Sequence, residues 1–207
     1  MKITLQDIGR RYNREWIFRH LDYTFCFGKK YAILGANGSG KSTLLKVLTG
    51  SLTPSEGSIT YLQETVEVPV EQIFHHIAIA APYVELIEEF TLSEMIDFHF
   101  RFKRYKTGFD REALISLLGL ASSRNKELRH FSSGMKQRVK LILACCSDSS
   151  IVFLDEPTSN LDESGERWYL ALVEQTIDAD RLLIVCSNQE KEYSFCDEQI
   201  IISDYKK

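Results

Sequence analysis

The sequence lacks the features that would place it in a membrane, in an oxidising compartment or on a nucleic acid. No window approaches the ~18 consecutive apolar residues of a membrane-spanning helix, and the N-terminus has no apolar core of signal-peptide type. The five cysteines form no C-x-x-C pair, which favours reduced thiols in a cytosolic protein over a disulfide framework. The formal net charge of -4 provides no basic surplus for binding nucleic acid. We therefore expect a protein that is soluble by itself and reaches a membrane only through a partner.

Internal repeats and low-complexity segments are absent as well. What is present is an ordinary globular composition, because 44% of the 207 residues are hydrophobic and 26% are charged. A chain of this length is long enough to form one substantial hydrophobic core. We predict a single domain over residues 1–207.

Short apolar segments at both ends of the chain predict the strands of an α/β fold. Near the N-terminus, "KITLQDI" and "HLDYTFCF" alternate between apolar and polar residues, as half-buried antiparallel strands do, and the apolar run "KYAILG" ends at Gly35. Near the C-terminus, the apolar runs "IVFL", "RLLIVCS" and "EQIII" follow one another, with a helical segment after the first. Continuous apolar strands separated by helices indicate a mostly parallel sheet that is covered on both faces.

The middle of the chain has a helical pattern. Thr91 and Glu94 form a capping box that begins a helix over "LSEMIDFHFRFKRY", which we expect to end before Gly108. Asp110 begins a second helix that ends at Gly119, and a third begins near Ser132 and runs through Cys146. These signals predict a core of about 1–87 and 148–207 with a helical subdomain of about 88–147.

The segment "GANGSGKST" matches the phosphate-binding pattern G-x-x-x-x-G-K-[ST] and lies between a predicted buried strand and a helix. Glycines let backbone N–H groups turn towards phosphate oxygens, and the start of the helix adds a positive dipole end. Lys41 is predicted to reach the β- and γ-phosphates, and the Ser42 hydroxyl to bind Mg²⁺. The predicted nucleotide-binding residues of this phosphate loop are Gly35, Ala36, Asn37, Gly38, Ser39, Gly40, Lys41, Ser42 and Thr43.

Two adjacent carboxylates end the apolar strand in "IVFLDEPTSNLD". Acidic side chains at the end of a buried strand are costly unless a positive group meets them, and a metal ion beside a phosphate loop is such a group. Asp155 is predicted to bind Mg²⁺ or its water, and Glu156 to take a proton from the attacking water. The alternative is that the two carboxylates cap the segment that follows.

A third motif, "FSSGMKQR", precedes the acidic strand. Together with "GANGSGKST" and "FLDEPTSNLD", in this order and spacing, it closely resembles the nucleotide-binding domain of ATP-binding cassette (ABC) ATPases. The resemblance covers nearly the whole chain. It implies a P-loop NTPase core with an N-terminal antiparallel part and a helical insertion, with ATP and Mg²⁺ as ligands.

The resemblance also implies roles for single residues. Tyr12 matches the aromatic that stacks on adenine, with Trp16 as the alternative, and core packing remains open for both rings. Ser132, Ser133 and Gly134 match the signature motif, which closes over the ATP held by a second copy. Asp162 matches the aspartate that meets the partner subunit. The family pattern therefore implies two subunits, identical or different, that hold two nucleotides head to tail.

The chain departs from the family in three places. The signature has Ser133 in place of a glycine and Met135 in place of a glutamine. Pro82, or alternatively Ala81, stands where the family has a glutamine that contacts Mg²⁺ or water, and proline offers no donor there. Asn188, or less readily Ser187, stands where the family has a histidine against the γ-phosphate. The predicted catalytic residues are Lys41, Glu156 and Asn188, and slow hydrolysis is expected in isolation.

The leading functional interpretation is an ATP-hydrolysing subunit that powers a membrane ABC transporter through a separate permease. It implies a cytoplasmic protein at the inner face of the cell membrane, with no direct membrane insertion and no nucleic-acid partner. The alternative is a regulatory subunit that binds nucleotide but barely turns over. A DNA-repair or chromosome-structure ATPase is disfavoured, because no long coiled coil appears and the charge is acidic. A small-molecule P-loop kinase leaves "FSSGMKQR" unexplained.

Overall fold

Two β-sheets of opposite type organise the protein, whose computed structural model describes residues 1–206. Lys207, the last residue of the predicted domain, lies outside the described residues. The strands are β1 (Lys2–Tyr12), β2 (Glu15–Phe25), β3 (Lys30–Leu34), β4 (Glu56–Gln63), β5 (Val66–Glu67), β6 (Ile77–Ala80), β7 (Ile151–Asp155), β8 (Leu182–Ser187) and β9 (Glu198–Ile201). The first sheet is antiparallel with the order β2-β1-β4-β5, and the second is parallel with the order β6-β7-β8-β3-β9.

Within residues 1–206, five α-helices accompany the sheets, together with short 3-10 turns. The helices are α1 (Lys41–Leu48), α2 (Leu92–His99), α3 (Arg111–Leu118), α4 (Ser133–Cys145) and α5 (Glu163–Thr176). Among the residues that the structure describes, none of the helices has the length and apolar character needed to cross a membrane.

The parallel sheet is covered on both faces, as its apolar strands predict. Every residue of β7 and β8 is buried. Successive residues of a strand point to opposite faces, and β7 follows this rule. Ile151 and Phe153 join a hydrophobic cluster with α1 and the antiparallel sheet, whereas Val152 and Leu154 join one with helices α2 to α5. The sheet therefore lies between two cores, and this confirms the predicted α/β fold class.

The predicted helix starts are confirmed, but the first helix of the middle region is shorter than the sequence suggests. In the capping box, the Thr91 N–H donates to Glu94 Oε2 at 2.8 Å and the Glu94 N–H donates to Thr91 Oγ1 at 3.2 Å. Helix α2 ends at His99, so the predicted continuation towards Gly108 is wrong. The reason lies in Phe100 and Tyr105, whose rings stack with centroids 3.7 Å apart. Positions five apart lie on different faces of a helix, so this stack requires the helix to have ended.

Strand order brings the ends of three parallel strands together. Strand β8 lies between β7 and β3 in the sheet. All three run in the same direction, so the loops that follow Leu34, Asp155 and Ser187 leave from the same edge. In open parallel sheets, ligands bind at this carboxyl edge. The loop after Leu34 is the phosphate loop, and the loop after Asp155 carries the second acid.

Candidate functional site

The phosphate loop is built around a buried lysine. Lys41 is only 4% exposed, and its ammonium donates to the carbonyl oxygens of Gly35 at 2.8 Å and Ala36 at 3.3 Å. Gly40 begins α1 with a left-handed φ of 111°. A Cβ at this position would lie 2.5 Å from Ile17 Cγ2, so only glycine allows β2 to approach the loop this closely. The loop is thus fixed between the two sheets with its lysine inside.

Asp155, at the end of β7, is only 2% exposed, and its Oδ1 has no hydrogen-bond partner. Burial raises the pKa of the Asp155 carboxyl, against the lowering effects of the Ser42 hydroxyl and the Lys41 ammonium. Buried polar atoms without partners are rare in native proteins and call for an explanation. A carboxylate oxygen free to bind, next to a serine hydroxyl, is a donor set that suits Mg²⁺. These two residues therefore fit the predicted metal.

Glu156 follows directly but has different surroundings. Its backbone has a φ of 47°, in the left-handed region that non-glycine residues rarely adopt. The Glu156 N–H donates to the Cys186 carbonyl at 2.9 Å, and its own carbonyl accepts from the Ser159 N–H at 3.0 Å. The chain therefore turns sharply after Asp155, and Glu156 is half-buried where Asp155 is buried.

The capping alternative for the two acids is wrong for the next helix. Asp162 caps α5, because its Oδ1 accepts from the Gly165 N–H at 2.8 Å and from the Ser164 hydroxyl at 2.8 Å. These bonds lower the pKa of the Asp162 carboxyl. Asp155 and Glu156 are therefore not needed as caps of α5.

Asn188 reaches the phosphate loop. Its Nδ2 donates to Asn37 Oδ1 at 3.1 Å. Ser187, the alternative at this position, is buried and its hydroxyl bonds to the Glu192 carboxylate and to the Gln189 carbonyl. The geometry favours Asn188 as the residue that stands in the histidine position of the family pattern.

The predicted glutamine position lies in the segment after β6, at Pro82 or Ala81. Ala81 is buried, whereas Pro82 is exposed, and the carbonyls of both accept from Lys140 Nζ, at 3.5 and 3.3 Å. Pro82 therefore fits the glutamine position better than Ala81. Its ring can neither donate nor accept a hydrogen bond.

The aromatic candidates differ in how free their rings are. Tyr12 is 46% exposed, so the core-packing alternative is wrong for this residue. The Arg10 guanidinium lies 4.8 Å from its ring centroid. Trp16 is half-buried, with the Arg11 and Arg19 guanidinium groups 5.3 and 4.5 Å from its ring. Tyr12 thus has the more accessible ring for stacking.

The signature residues form a cleft of their own. Ser132 caps α4, and its Oγ accepts from the Met135 N–H at 3.2 Å. A Cβ at Gly134 would lie 2.8 Å from the Asn160 carbonyl oxygen, so α4 packs closely against the loop before α5. The residues that line this cleft include Arg138 and Asp162 but no residue of the phosphate loop. One copy of the chain therefore does not bring its signature to its own phosphate loop.

The model of one protein family, described as ABC transporter, matches residues 18–159. The chain belongs to the ABC transporter family. Within it the chain is an ATP-binding cassette, the nucleotide-binding domain of a family of ATPases.

Relatives of the cassette occur both as parts of very long proteins and as proteins of similar length. Mouse ATP-binding cassette sub-family A member 7 is 35% identical over 157 residues, which is 73% of this chain and 7% of that protein. The chain thus spans about 7% of the length of the first curated relatives that it matches. The Uncharacterized ABC transporter ATP-binding protein YybJ of Bacillus subtilis (strain 168) is 27% identical over 94% of this chain and 89% of that protein.

A solved structure of the ATP-binding cassette MJ0796, a dimeric post-hydrolysis state bound to ADP and Pi, superposes with a TM-score of 0.81. The sequence identity is 19%, and the match covers 97% of this chain and 95% of that chain. At this identity the match establishes the shared fold of the two cassettes.

Two residues near the site of the cassette escaped the sequence reasoning. Tyr83 follows Pro82, and Lys46 Nζ of α1 lies 4.5 Å from its ring centroid. Partial burial raises the pKa of the Tyr83 hydroxyl, and the negative charge of Asp155 raises it further. Tyr83 therefore lies near Asp155, the predicted metal ligand. Gln137 of α4 donates to the Pro157 carbonyl at 2.9 Å. An aromatic directly after the unusual proline was the available signal for Tyr83, and Gln137 lies inside "FSSGMKQR".

Proposed function

We propose that this cassette binds ATP with Mg²⁺ and hydrolyses it to ADP and phosphate, as the subunit that drives a separate membrane-spanning permease. The observation that carries the proposal is one sheet edge where three features meet. They are a loop around the buried Lys41, the unpartnered Oδ1 of Asp155, and Asn188 bonded to Asn37.

The chain's own residues divide the chemistry between them. Backbone N–H groups of the phosphate loop and the Lys41 ammonium would hold the β- and γ-phosphates. Ser42 and Asp155 would hold Mg²⁺, which when bound neutralises charge on the phosphate oxygens. Glu156 would accept a proton from the water that attacks the γ-phosphorus, while the bond to the bridging oxygen of ADP breaks. Asn188 would donate a neutral hydrogen bond at the γ-phosphate.

A second cassette would complete the site. The cleft of Ser132, Ser133 and Gly134 contains no residue of its own phosphate loop, which supports pairing with the nucleotide of another copy. A head-to-tail pair would then hold two ATP molecules, with Asp162 at the contact and Tyr12 on the adenine. The dimeric state of the MJ0796 cassette, bound to ADP and Pi, supports this arrangement. A second identical chain has both the phosphate loop and the signature cleft. A different second cassette would have to provide the same two surfaces.

The permease partner would place the cassette at the cytoplasmic face of the cell membrane. Phe102, just beyond α2, is 73% exposed, and Phe74 is also exposed. The two residues lie in the same region, because Lys103, next to Phe102, donates through Nζ to the Phe74 carbonyl at 2.5 Å. Exposed aromatic side chains in one region are typical of protein contacts. This surface is a candidate for the contact with the permease.

The second candidate function is a nucleotide-binding regulatory subunit with little turnover. Two observations favour it. Pro82 offers no side-chain donor at the glutamine position, and Asn188 carries no charge at the histidine position. Glu156, retained beside Asp155, favours hydrolysis.

Phosphate release from the purified protein, at saturating ATP and Mg²⁺, tests the two functions against each other. We expect release by the wild type, and a loss of about 10²–10⁴-fold in Glu156→Gln, because the general base is removed. Glu174→Gln, on the exposed face of α5, is the matched control and should keep the wild-type rate.

Direct binding of ATP, measured in the same preparations, separates the outcomes. Binding without release above the Glu156→Gln rate, with and without the permease, would favour the regulatory function. Absence of ATP binding would contradict both.

A further inference from the structure

One buried glutamate outside the family motifs holds two loops of the site together. Glu192 is 0% exposed and lies in the 3-10 turn Glu190–Glu192 that follows β8. Its Oε1 accepts from the Thr158 N–H at 2.8 Å and from the Thr158 hydroxyl, and its Oε2 accepts from the Ser187 hydroxyl. The Tyr169 hydroxyl donates to its backbone carbonyl at 2.9 Å. No ion pair within residues 1–206 includes Glu192.

Both partners of the Glu192 carboxylate, Thr158 and Ser187, lie next to residues of the proposed catalytic site. Thr158 lies two residues after Glu156, in the turn that carries the proposed general base. Ser187 immediately precedes Asn188, which reaches the phosphate loop. The Glu192 carboxylate therefore connects the loop of Glu156, the proposed general base, with the loop of Asn188, the proposed donor to the γ-phosphate.

The loop after Asp155 needs such a restraint. A left-handed non-glycine residue such as Glu156 is strained and persists only where its surroundings hold it. The Cys186 carbonyl holds the Glu156 N–H, and Gln137 holds the Pro157 carbonyl. The Glu192 carboxylate accepts from the Thr158 N–H, which is the next backbone N–H after that of Glu156 because Pro157 has none. Unlike the Cys186 carbonyl and the Gln137 side chain, the Glu192 side chain also binds Ser187, next to Asn188.

The chemistry of the residue argues against packing as its purpose. Burying a carboxylate without a cation is costly unless hydrogen bonds satisfy it. An apolar side chain would fill the same space without that cost. What the carboxylate adds is two oxygens that accept from both loops at once.

We propose that Glu192 is a positioning residue for hydrolysis. It fixes the position of the turn that carries Glu156 relative to the loop that carries Asn188. The inference rests on the proposed ATPase function. The phosphate loop makes no direct bond to Glu192, so we expect nucleotide binding to depend little on this residue. Its loss should therefore lower kcat and leave the affinity for ATP nearly unchanged.

The first test is Glu192→Ala. We expect kcat to fall by about 10- to 100-fold, because a displacement of about 1 Å at a reacting group can cost 10²-fold. The Kd for ATP should stay within about threefold of the wild type, since interactions made only in the transition state lower kcat without weakening binding. Glu192→Gln keeps one oxygen that accepts from Thr158, and its amide N–H can donate to Ser187 Oγ in place of the bond that the Ser187 hydroxyl donates to the carboxylate. This variant should therefore restore most of kcat. Glu190→Ala, the same change at an exposed position two residues earlier, is the matched control.

A double-mutant cycle with Asn188→Ala separates positioning from general weakening of the fold. If Glu192 acts through the Asn188 loop, the kcat losses of the two changes should overlap rather than multiply. Should Glu192→Ala not fold, Ser187→Ala removes the hydroxyl contact to the Asn188 loop, and Thr158→Val removes the Thr158 hydroxyl contact while leaving the bond from the Thr158 N–H. Each change should lower kcat several-fold at unchanged ATP affinity.

The outcomes are distinct. A wild-type kcat in Glu192→Ala or in both hydroxyl variants, losses that multiply in the cycle, or a weakening of ATP binding in proportion to kcat would overturn the inference alone. Wild-type protein that releases no phosphate above Glu156→Gln would overturn the ATPase function and this inference together.

Discussion

The sheet edge has two regions that differ in how fully they match the family. The phosphate loop and the acidic end of β7 match the family pattern at each of their predicted phosphate- and metal-binding residues. The loops after β6 and β8 instead carry Pro82 and Asn188, which we predict to stand in place of the family's glutamine and histidine. The first region depends on backbone geometry and burial, and the second on the chemistry of single side chains.

We infer from this difference that ATP binding depends mainly on the first region, whereas the rate of hydrolysis, which also needs Glu156 of the first region, is adjusted by the second. Lys41 is buried within its own loop, and Gly40 packs against β2 with no room for a side chain. A change there disturbs both sheets. Pro82 is exposed and Asn188 makes a single bond to Asn37, so a change there alters little else. The second region can therefore vary in sequence while the first stays the same, and turnover can be tuned without loss of binding.

The largest effect should come from the first region. Lys41→Ala removes the charge that would contact the β- and γ-phosphates, and we expect ATP affinity to fall about 10- to 100-fold, because hydrogen bonds to charged groups contribute about 1.5–3 kcal/mol. Equilibrium binding of ATP with Mg²⁺ measures this directly. Lys126→Ala, at an exposed position between two 3-10 turns, should leave the affinity unchanged. If Lys41→Ala binds ATP as tightly as the wild type, the phosphate loop is not the ATP-binding region, and the proposed difference between the two regions is wrong.

A smaller effect, in the opposite direction, should come from the second region. Pro82→Gln combined with Asn188→His restores both family residues, and one preorganised donor is worth about 10²–10³ in turnover at a well-formed site. We expect kcat to rise about tenfold or more at unchanged ATP affinity. Steady-state phosphate release with a parallel binding measurement gives both numbers.

The two single variants sharpen this test. Asn188→His should give the larger share, because Asn188 already reaches Asn37 in the phosphate loop. Pro82 lies further out, with its carbonyl on Lys140. If the double variant turns over no faster than the wild type, the altered residues are not what limits hydrolysis.

Much of the fold and the site was predictable because the signals are local. The phosphate loop, the acidic strand end and the Thr91–Glu94 capping box each lie within a dozen residues. Local patterns failed where distant contacts decide. Helix α2 ends early because Tyr105 returns to stack on Phe100. Glu192 lies in a polar stretch, "NQEKE", that looks like an exposed loop, yet its partner Thr158 is 34 residues away in sequence.

The smallest effect concerns the helical region, whose half-buried His99 should respond to pH independently of the site. His99 of α2 lies against Ser147, with Nε2 2.9 Å from its Oγ. Burial, with a contribution from Lys103, lowers the pKa of His99 from 6.5 to about 4. Between these values the unfolded chain binds a proton that the folded protein does not. The free energy of unfolding should therefore fall as the pH is lowered from about 6.5 towards 4.

We expect this group to remove roughly 1 kcal/mol of stability at pH 5.5, since one pKa unit corresponds to about 1.4 kcal/mol. Denaturant unfolding at pH 7 and pH 5.5 measures the difference. His99→Gln, which cannot take up the proton, should reduce the pH dependence, whereas Gln72→Ala at an exposed position should not. Because His99 makes no bond to the phosphate loop, ATP affinity at pH 7 should be the same in all three proteins. A change in affinity would mean that the helical region and the binding region are coupled, and that the separation of binding from the rest of the cassette is less complete than the geometry indicates.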